Sequence, residues 1–188
     1  MDLTKQESKE QDVAIIFTDI VGFTNLSEKM HPREVMQLLS KYQSLMVDAI
    51  FANNGTVDKF IGDAVMANFG TPQSHGNDAQ NAFDCALEMQ RKMVEWNISR
   101  RAEGLPEVTH RIGIHCGSCV VGNVGSEQRL EFAVVGDVVN VASRICDAGK
   151  TIGSDFVISA DLFNRLETNE NFQKIKNFQI RGRKEPID

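Results

Sequence analysis

Residues 13–19 read Val-Ala-Ile-Ile-Phe-Thr-Asp, and this stretch indicates the fold most directly. Its five consecutive apolar residues are typical of a β-strand that is buried on both faces. Asp19 follows almost at once, so a carboxylate is expected where the strand leaves the sheet. A polar turn at residues 18–24 then separates this strand from the rest of the chain.

Helices and strands are expected to alternate through the remaining sequence, with hairpins between some strands. This order favours a mixed, largely antiparallel sheet flanked by helices over a doubly wound one. We therefore expect an α+β fold with a ferredoxin-like core and a small C-terminal αβ subunit. The pattern predicts, in chain order, a helix Pro32–Asn53, a hairpin of strands Thr56–Ile61 and Ala64–Phe69, a helix from Asp78 that ends before a polar loop at Ser99–Pro106, strands His110–His115, Cys119–Val124 and Leu130–Val135, a helix Asp137–Ala148, and a terminal strand Phe156–Ser159, helix Ala160–Leu166 and strand Phe172–Ile180.

The composition of the 188-residue chain limits the classes of function that it can have. Hydrophobic residues make up 41%, enough for one domain with a sizeable core. A net charge of −6 argues against a nucleic-acid binder that uses a basic face. No apolar run approaches the roughly 20 residues of a membrane helix, and the start does not resemble a signal peptide. We expect a cytoplasmic domain without membrane contact of its own, on the cytoplasmic side if the full protein has a membrane anchor.

Four cysteines in a chain of this length do not indicate a secreted disulfide scaffold. Cys116 and Cys119 match a C-x-x-C pattern, but the valines that follow predict a strand, whereas a redox motif usually opens a helix. No second ligand pair is spaced for a zinc ribbon. Reduced thiols are therefore expected.

Two aspartates are the strongest candidates for chemistry. Asp19 ends the first strand, and Asp63 lies in the Gly-Asp turn of the hairpin. If strand and hairpin are neighbours in the sheet, both carboxylates meet at one edge, where hard oxygen ligands suit Mg²⁺ or Mn²⁺. The backbone N–H groups of Gly22, Phe23 and Thr24 are then well placed for phosphates. The alternative is structural: Asp19 caps a helix and Asp63 serves the turn.

Three segments carry recognisable motifs: Phe17-Thr-Asp-Ile-Val-Gly-Phe-Thr24, Val57-Asp-Lys-Phe-Ile-Gly-Asp-Ala64 and Val135-Gly-Asp-Val-Val-Asn-Val-Ala-Ser-Arg144. They resemble the signature segments of class III nucleotidyl cyclases, the adenylyl and guanylyl cyclase catalytic domains. The resemblance covers roughly residues 13–185. It implies a linker at residues 1–12, entering from an upstream regulatory region, and a catalytic domain at residues 13–188.

The resemblance implies a role for each matching residue. Asp19 and Asp63, with the carbonyl of Ile20, would hold two divalent cations, Mg²⁺ or Mn²⁺. Asn140 would orient the ribose, and Arg144 would stabilise charge on the α-phosphate, since its planar fork offers two donors and stays protonated. Without the other motifs, a helix cap or turn contact for Asn140 and a surface ion pair for Arg144 would be the preferred explanation.

The resemblance also implies residues that would contact the purine base and the terminal phosphates of the substrate. Lys59 matches the base-selecting position, and a donor there can meet N1 of adenine, although alone it reads as a solvated strand residue. Ala133 stands where many relatives have aspartate or threonine, so one base contact is missing and GTP stays possible. Arg183 matches the cation that holds the terminal phosphates, with Arg181 or Lys184 as alternatives.

The implied reaction converts ATP to 3′,5′-cyclic AMP and pyrophosphate, by attack of the ribose 3′-oxygen on the α-phosphate. Family members divide the site residues between two subunits, and this chain carries both sets. The resemblance therefore implies a head-to-tail homodimer with two composite sites. Two alternatives remain: a guanylyl cyclase, and a catalytically inactive nucleotide-binding signalling domain.

Overall fold

The computed structural model describes residues 8–126, 129–167, 172–179 and 186–188. Six strands and five helices lie in these ranges. Their bounds are β1 Lys9–Ile20, α1 Phe23–Ser27, α2 Pro32–Ala52, β2 Thr56–Ile61, β3 Ala64–Phe69, α3 Asp78–Ala102, β4 His110–Ser126, β5 Arg129–Val135, α4 Asp137–Ile152, β6 Phe156–Ile158 and α5 Ala160–Phe163.

The strands form one sheet in the order β2-β3-β1-β4-β5, and β6 pairs with β4 in parallel. The other pairs are antiparallel. Strand β1 is therefore central, with the β2–β3 hairpin on one side and β4 on the other. This strand order, with α2 and α3 as the two crossover helices, is the ferredoxin-like α+β core that the sequence predicted.

The two faces of β1 pack against different helices because its side chains alternate across the sheet. Ala14, Ile16 and Ile20 join the large core formed with α2 and α3. Val13, Ile15 and Phe17 face the other way and pack against α4. A charged residue that follows Phe17 by two positions must therefore lie on the α4 side of the sheet.

Close packing of α4 depends on a glycine in β4. A Cβ atom added at Gly113 would lie 2.3 Å from the backbone nitrogen of Cys146 in α4. Since no real Cβ approaches a backbone atom so closely, only glycine lets the helix approach the sheet at this point.

Strand β4 corrects the prediction of two separate strands, His110–His115 and Cys119–Val124. The chain is extended throughout His110–Ser126, and Gly117 continues the strand rather than breaking it. The same continuity settles the geometry of the C-x-x-C pattern. Cys116 joins the α2–α3 core and Cys119 joins the α4 core, so the two thiols lie on opposite faces of the sheet and both are free.

Several boundaries also differ from the predictions, and helix α4 ends at Ile152 rather than at Ala148. Helix α3 continues through Ala102, where a loop from Ser99 was expected, because Arg100 stacks on Trp96 at 5.2 Å and donates to the carbonyl of Pro106. Strand β1 begins at Lys9, so residues 9–12 of the expected linker are paired with β4. Helix α5 ends at Phe163 rather than at Leu166.

The predicted last strand, Phe172–Ile180, is wrong over the part that the structure describes, residues 172–179. That part contains one bridge, from Phe178 to Ile187, instead of a strand. The apolar residue that suggested a strand has another use: the ring of Phe172 packs against those of Phe83, Phe156 and Phe163.

Candidate active site

The two candidate carboxylates lie at the same edge of the sheet. Asp19 is next to last in β1, and Asp63 lies in the turn between β2 and β3. The backbone N–H of Ile20 donates to Oδ2 of Asp63 at 2.9 Å. The hairpin turn is thus fastened to the end of the central strand, and the convergence expected from the sequence is present.

Asp19 has a cationic neighbour that the sequence analysis did not single out. Arg111 lies opposite Asp19 in the β1–β4 register, with Nη1 3.5 Å from Oδ1 of Asp19. The Arg111 side chain is 6% exposed, and its stem lies so close to α4 that a Cβ at Gly149 would be 2.6 Å from Cδ. An arginine inside the predicted strand His110–His115 is the sequence signal that could have identified it.

The electrostatic surroundings of Asp19 partly oppose its ionisation. Burial raises the pKa of this carboxyl above its usual value, and the nearby Asp63 and Asp147 raise it further. Arg111 and Lys150 each lower the pKa, but each by less than burial raises it. A cation held between Asp19 and Asp63 would favour the ionised form of both groups.

The donor atoms at this edge fit a hard divalent cation. Oδ1 of Asp19 is buried and has no hydrogen-bond partner among the described residues. Two carboxylates and a backbone carbonyl form an all-oxygen set, which suits Mg²⁺ or Mn²⁺ with water and phosphate as further ligands. No group of three or more His, Cys, Asp or Glu side chains with metal-binding geometry occurs in the described part of the chain. The remaining ligands would therefore come from a bound substrate and solvent.

The segment after β1 turns sharply beside the carboxylates. Gly22 precedes α1 with φ 68° and ψ 22°, a left-handed conformation that favours glycine. Phe23 packs its ring against the large core, while Gly22 and Thr24 are exposed. In this segment, the backbone and the Thr24 side chain are accessible to a phosphate, whereas the Phe23 ring is turned into the core.

Asn140 and Arg144 share the outer face of α4, as their four-residue spacing predicted. Asn140 is exposed and Arg144 is half-buried, whereas the intervening Val141 and Ala142 are fully buried. The helix therefore presents an amide and a guanidinium together, away from its packed side.

The two candidate base-binding residues lie in different edge strands of the sheet. Lys59 in β2 is exposed and pairs with Asp58 at 3.3 Å. Ala133 in β5 is half-buried opposite Gly122. Strands β3, β1 and β4 lie between β2 and β5, so strand pairing alone does not place these side chains together. Arg183 and its alternatives, Arg181 and Lys184, lie outside the described residues.

Comparison with known proteins gives the family. Residues 5–187, nearly the whole chain, match the family described as the adenylate and guanylate cyclase catalytic domain. The chain belongs to this family. Adenylate cyclase 1 of Rhizobium meliloti (strain 1021) is 36% identical over 178 residues, which are 95% of this cyclase domain and 27% of that protein.

Two solved cyclases share the fold of this domain over almost their full length. The adenylyl cyclase CyaB from P. aeruginosa matches with a TM-score of 0.86 and 31% identity, covering 96% of this chain and 93% of that one. The guanylyl cyclase Cya2 matches with a TM-score of 0.86 and 33% identity, covering 96% and 90%.

The carboxylate edge of the cyclase domain is partly exposed to solvent: the Asp19 side chain is 25% exposed and Asp63 is half-buried. A cavity of about 430 Å³ lies instead near the other end of β1, where Gln11, Asp12 and Arg165 help to line it. Asp19 and Asp63 do not line this cavity. None of the described helices combines the length and apolar character needed to cross a bilayer.

Proposed function

We propose that this cyclase domain is an adenylyl cyclase, which converts ATP to 3′,5′-cyclic AMP and pyrophosphate. The observation that carries the proposal is the meeting of Asp19 and Asp63 at one edge, through the 2.9 Å hydrogen bond from Ile20. Relatives named adenylate or adenylyl cyclase, at 36% and 31% identity, support it. Lys59 favours ATP because an ammonium can donate to the unprotonated N1 of adenine.

In this proposal, Asp19, Asp63 and the carbonyl of Ile20 hold two divalent cations, Mg²⁺ or Mn²⁺. When bound, such cations activate the ribose 3′-hydroxyl and neutralise charge on the triphosphate. Asn140 holds the ribose for in-line attack, and Arg144 donates to the α-phosphate oxygens as charge builds on them. Arg183 holds the terminal phosphates, and the backbone at Gly22 and Thr24 contacts them.

We further propose that two chains form a head-to-tail homodimer, with each site built from both copies. The partial exposure of Asp19 and Asp63 supports this arrangement, since a nucleotide bound beside them is enclosed only if a second surface covers it. Control by a further regulatory domain is consistent with the greater length of the R. meliloti relative.

The test is turnover of ATP and of GTP by the purified domain with Mg²⁺ and with Mn²⁺, with the product identified by mass spectrometry. We expect cyclic AMP to be the main product. A domain that binds ATP but releases no cyclic product would overturn the proposal and favour an inactive nucleotide-binding domain.

A guanylyl cyclase is the second candidate, and one specific observation favours it. Ala133 cannot accept a hydrogen bond from the exocyclic amine of adenine, so Lys59 alone selects the base. Because O6 of guanine also accepts from an ammonium, the discrimination is weaker than with two contacts. The relative named as a guanylyl cyclase is as similar in structure as the adenylyl cyclase.

A further inference from the structure

A buried cluster of polar side chains lies directly behind the carboxylate edge. The hydroxyls of Thr18 in β1 and Tyr42 in α2 are 2.7 Å apart, and both residues are fully buried. Nδ1 of His110, at the start of β4, is 3.3 Å from the Thr18 hydroxyl. A threonine hydroxyl has one hydrogen and two lone pairs, so it can donate in one of these bonds and accept in the other.

This polar cluster is unusual among the buried residues around it. The other inward residues of β1, Ala14, Ile16 and Ile20, are all apolar. A buried hydroxyl stabilises nothing unless it is paired, whereas valine and phenylalanine would fill the same space at Thr18 and Tyr42. A hydrogen bond is directional, so the bond between these two hydroxyls fixes the position of α2 relative to the end of β1.

The position of the bond relates it to the site. Thr18 is the residue before Asp19, and the backbone of Ile20 comes next. Residues 21–31 connect β1 to α2 and include the turn at Gly22. The bond between Thr18 and Tyr42 joins the two elements on either side of this connection. Val21 is also held, since its N–H donates to the carbonyl of Thr109 at 2.9 Å.

We propose that Tyr42 is a positioning residue, which through Thr18 holds the end of β1 so that the oxygens of Asp19, Ile20 and Asp63 stay together for a divalent cation. The proposal rests on the proposed function, because it assumes that these oxygens bind metal. Ile20 connects these groups: its carbonyl is one candidate ligand, and its N–H donates a hydrogen bond to the carboxylate of Asp63. A shift of the Ile20 backbone would therefore move all three candidate ligands.

The experiment compares Tyr42→Phe, Thr18→Val and the double variant with the wild-type domain. The probe is Mn²⁺ alone, titrated without nucleotide and followed by the electron paramagnetic resonance signal of free Mn²⁺. We expect each single variant to bind Mn²⁺ about fivefold more weakly, the factor that one net hydrogen bond represents. The double variant should bind Mn²⁺ no more weakly than Thr18→Val, because Thr18→Val already removes the bond to Tyr42.

Thr71→Val is the matched control. It removes another buried threonine hydroxyl, which bonds to Oδ1 of Asn68 just beyond the far end of β3. We expect it to lower the melting temperature as much as Thr18→Val does, yet to leave Mn²⁺ binding unchanged.

Equal Mn²⁺ binding by wild type, Tyr42→Phe and Thr18→Val would overturn the proposal and leave the cluster a purely structural role. Additive losses in the double variant would overturn it as well. A wild-type domain that binds Mn²⁺ but makes no cyclic nucleotide would contradict the proposed function alone, and the Mn²⁺ titrations of the variants would still decide the role of Tyr42.

Discussion

The N–H of Ile20 and Oδ2 of Asp63, 43 residues apart in sequence, are joined by a hydrogen bond of 2.9 Å. This bond gives Asp63 a structural task in addition to its proposed role as a metal ligand. The two tasks need different atoms: a hydrogen-bond acceptor is enough for the first, and a negative charge is needed for the second. Substitutions at Asp63 can therefore separate them.

Asp63→Asn keeps an acceptor for Ile20 but removes the charge. We expect its free energy of unfolding to stay within about 0.5 kcal/mol of wild type while cyclase activity falls about a hundredfold or more. Asp63→Ala should lose the activity and also about 1–2 kcal/mol, because the Ile20 N–H then lacks its acceptor. Urea unfolding and product assays measure both. Full activity of Asp63→Asn would contradict the metal role.

Two inactive variants should restore each other if the sites are shared between chains. Asp63→Ala damages the carboxylate side and Arg144→Ala damages the nucleotide side, so a mixed dimer keeps one intact site. After equal amounts are unfolded and refolded together, we expect about a quarter of wild-type activity, since half of the dimers are mixed and each has one working site of two. Either variant mixed with itself is the control. No recovery, with mixed dimers demonstrated by differential tagging, would contradict the composite site.

Lys59→Glu should change the preferred base. A carboxylate accepts from the protonated N1 of guanine and repels the N1 lone pair of adenine, so the ATP-to-GTP ratio of kcat/KM should fall about tenfold or more. Lys41→Glu makes the same charge change at an exposed position on α2 and should leave the ratio unchanged. Equal ratios in the wild type and Lys59→Glu would mean that other residues select the base.

Gly113→Ala should destabilise the domain by forcing α4 away from β4. The added Cβ would be 2.3 Å from a backbone atom, a contact that flexible side chains cannot relieve, and we expect a loss of about 2–3 kcal/mol. Gly117→Ala is the matched control in the same strand, because its nearest neighbour, Val138, would be at an ordinary 3.5 Å. Similar urea midpoints for the two variants would contradict this account of the packing.

The cysteines of the native domain should react slowly with a thiol reagent. Burial raises the pKa of Cys85 to about 12 and that of Cys116 and Cys119 to about 11, and it also raises the pKa of Cys146. Little reactive thiolate is therefore present at neutral pH. Labelling with a chromogenic disulfide should stay below one equivalent until denaturant exposes all four thiols. A rapid native burst would show an accessible thiol.

Local sequence patterns predicted the parts of the fold that depend on near neighbours. The apolar run before Asp19, the Gly-Asp turn at Asp63 and the helical spacing of Asn140 and Arg144 all lie where they were expected. The prediction that Asp19 and Asp63 meet needed only one further step, the adjacency of strand and hairpin in the sheet.

What escaped prediction depends on long-range packing. Gly117 read as a break because its neighbours on α4 are not visible in the sequence, and Ser99–Ala102 read as a loop because the stacking of Arg100 on Trp96 is a tertiary contact. Tyr42 is fully buried on the inner face of α2, but nothing in the sequence paired its hydroxyl with that of Thr18. Arg111 was missed for the same reason, since its partner Asp19 lies on another strand.

The unbroken course of β4 has a consequence for how two active sites in one dimer would communicate. One end of the strand lies beside Asp19, and its other half pairs with Ala133 in β5. In a two-fold assembly, a single hydrogen-bonded ladder would thus border both nucleotides, one at each end. In such a dimer, a nucleotide bound at one site would act on the other site through β4. We would then expect saturation curves with a Hill coefficient different from one.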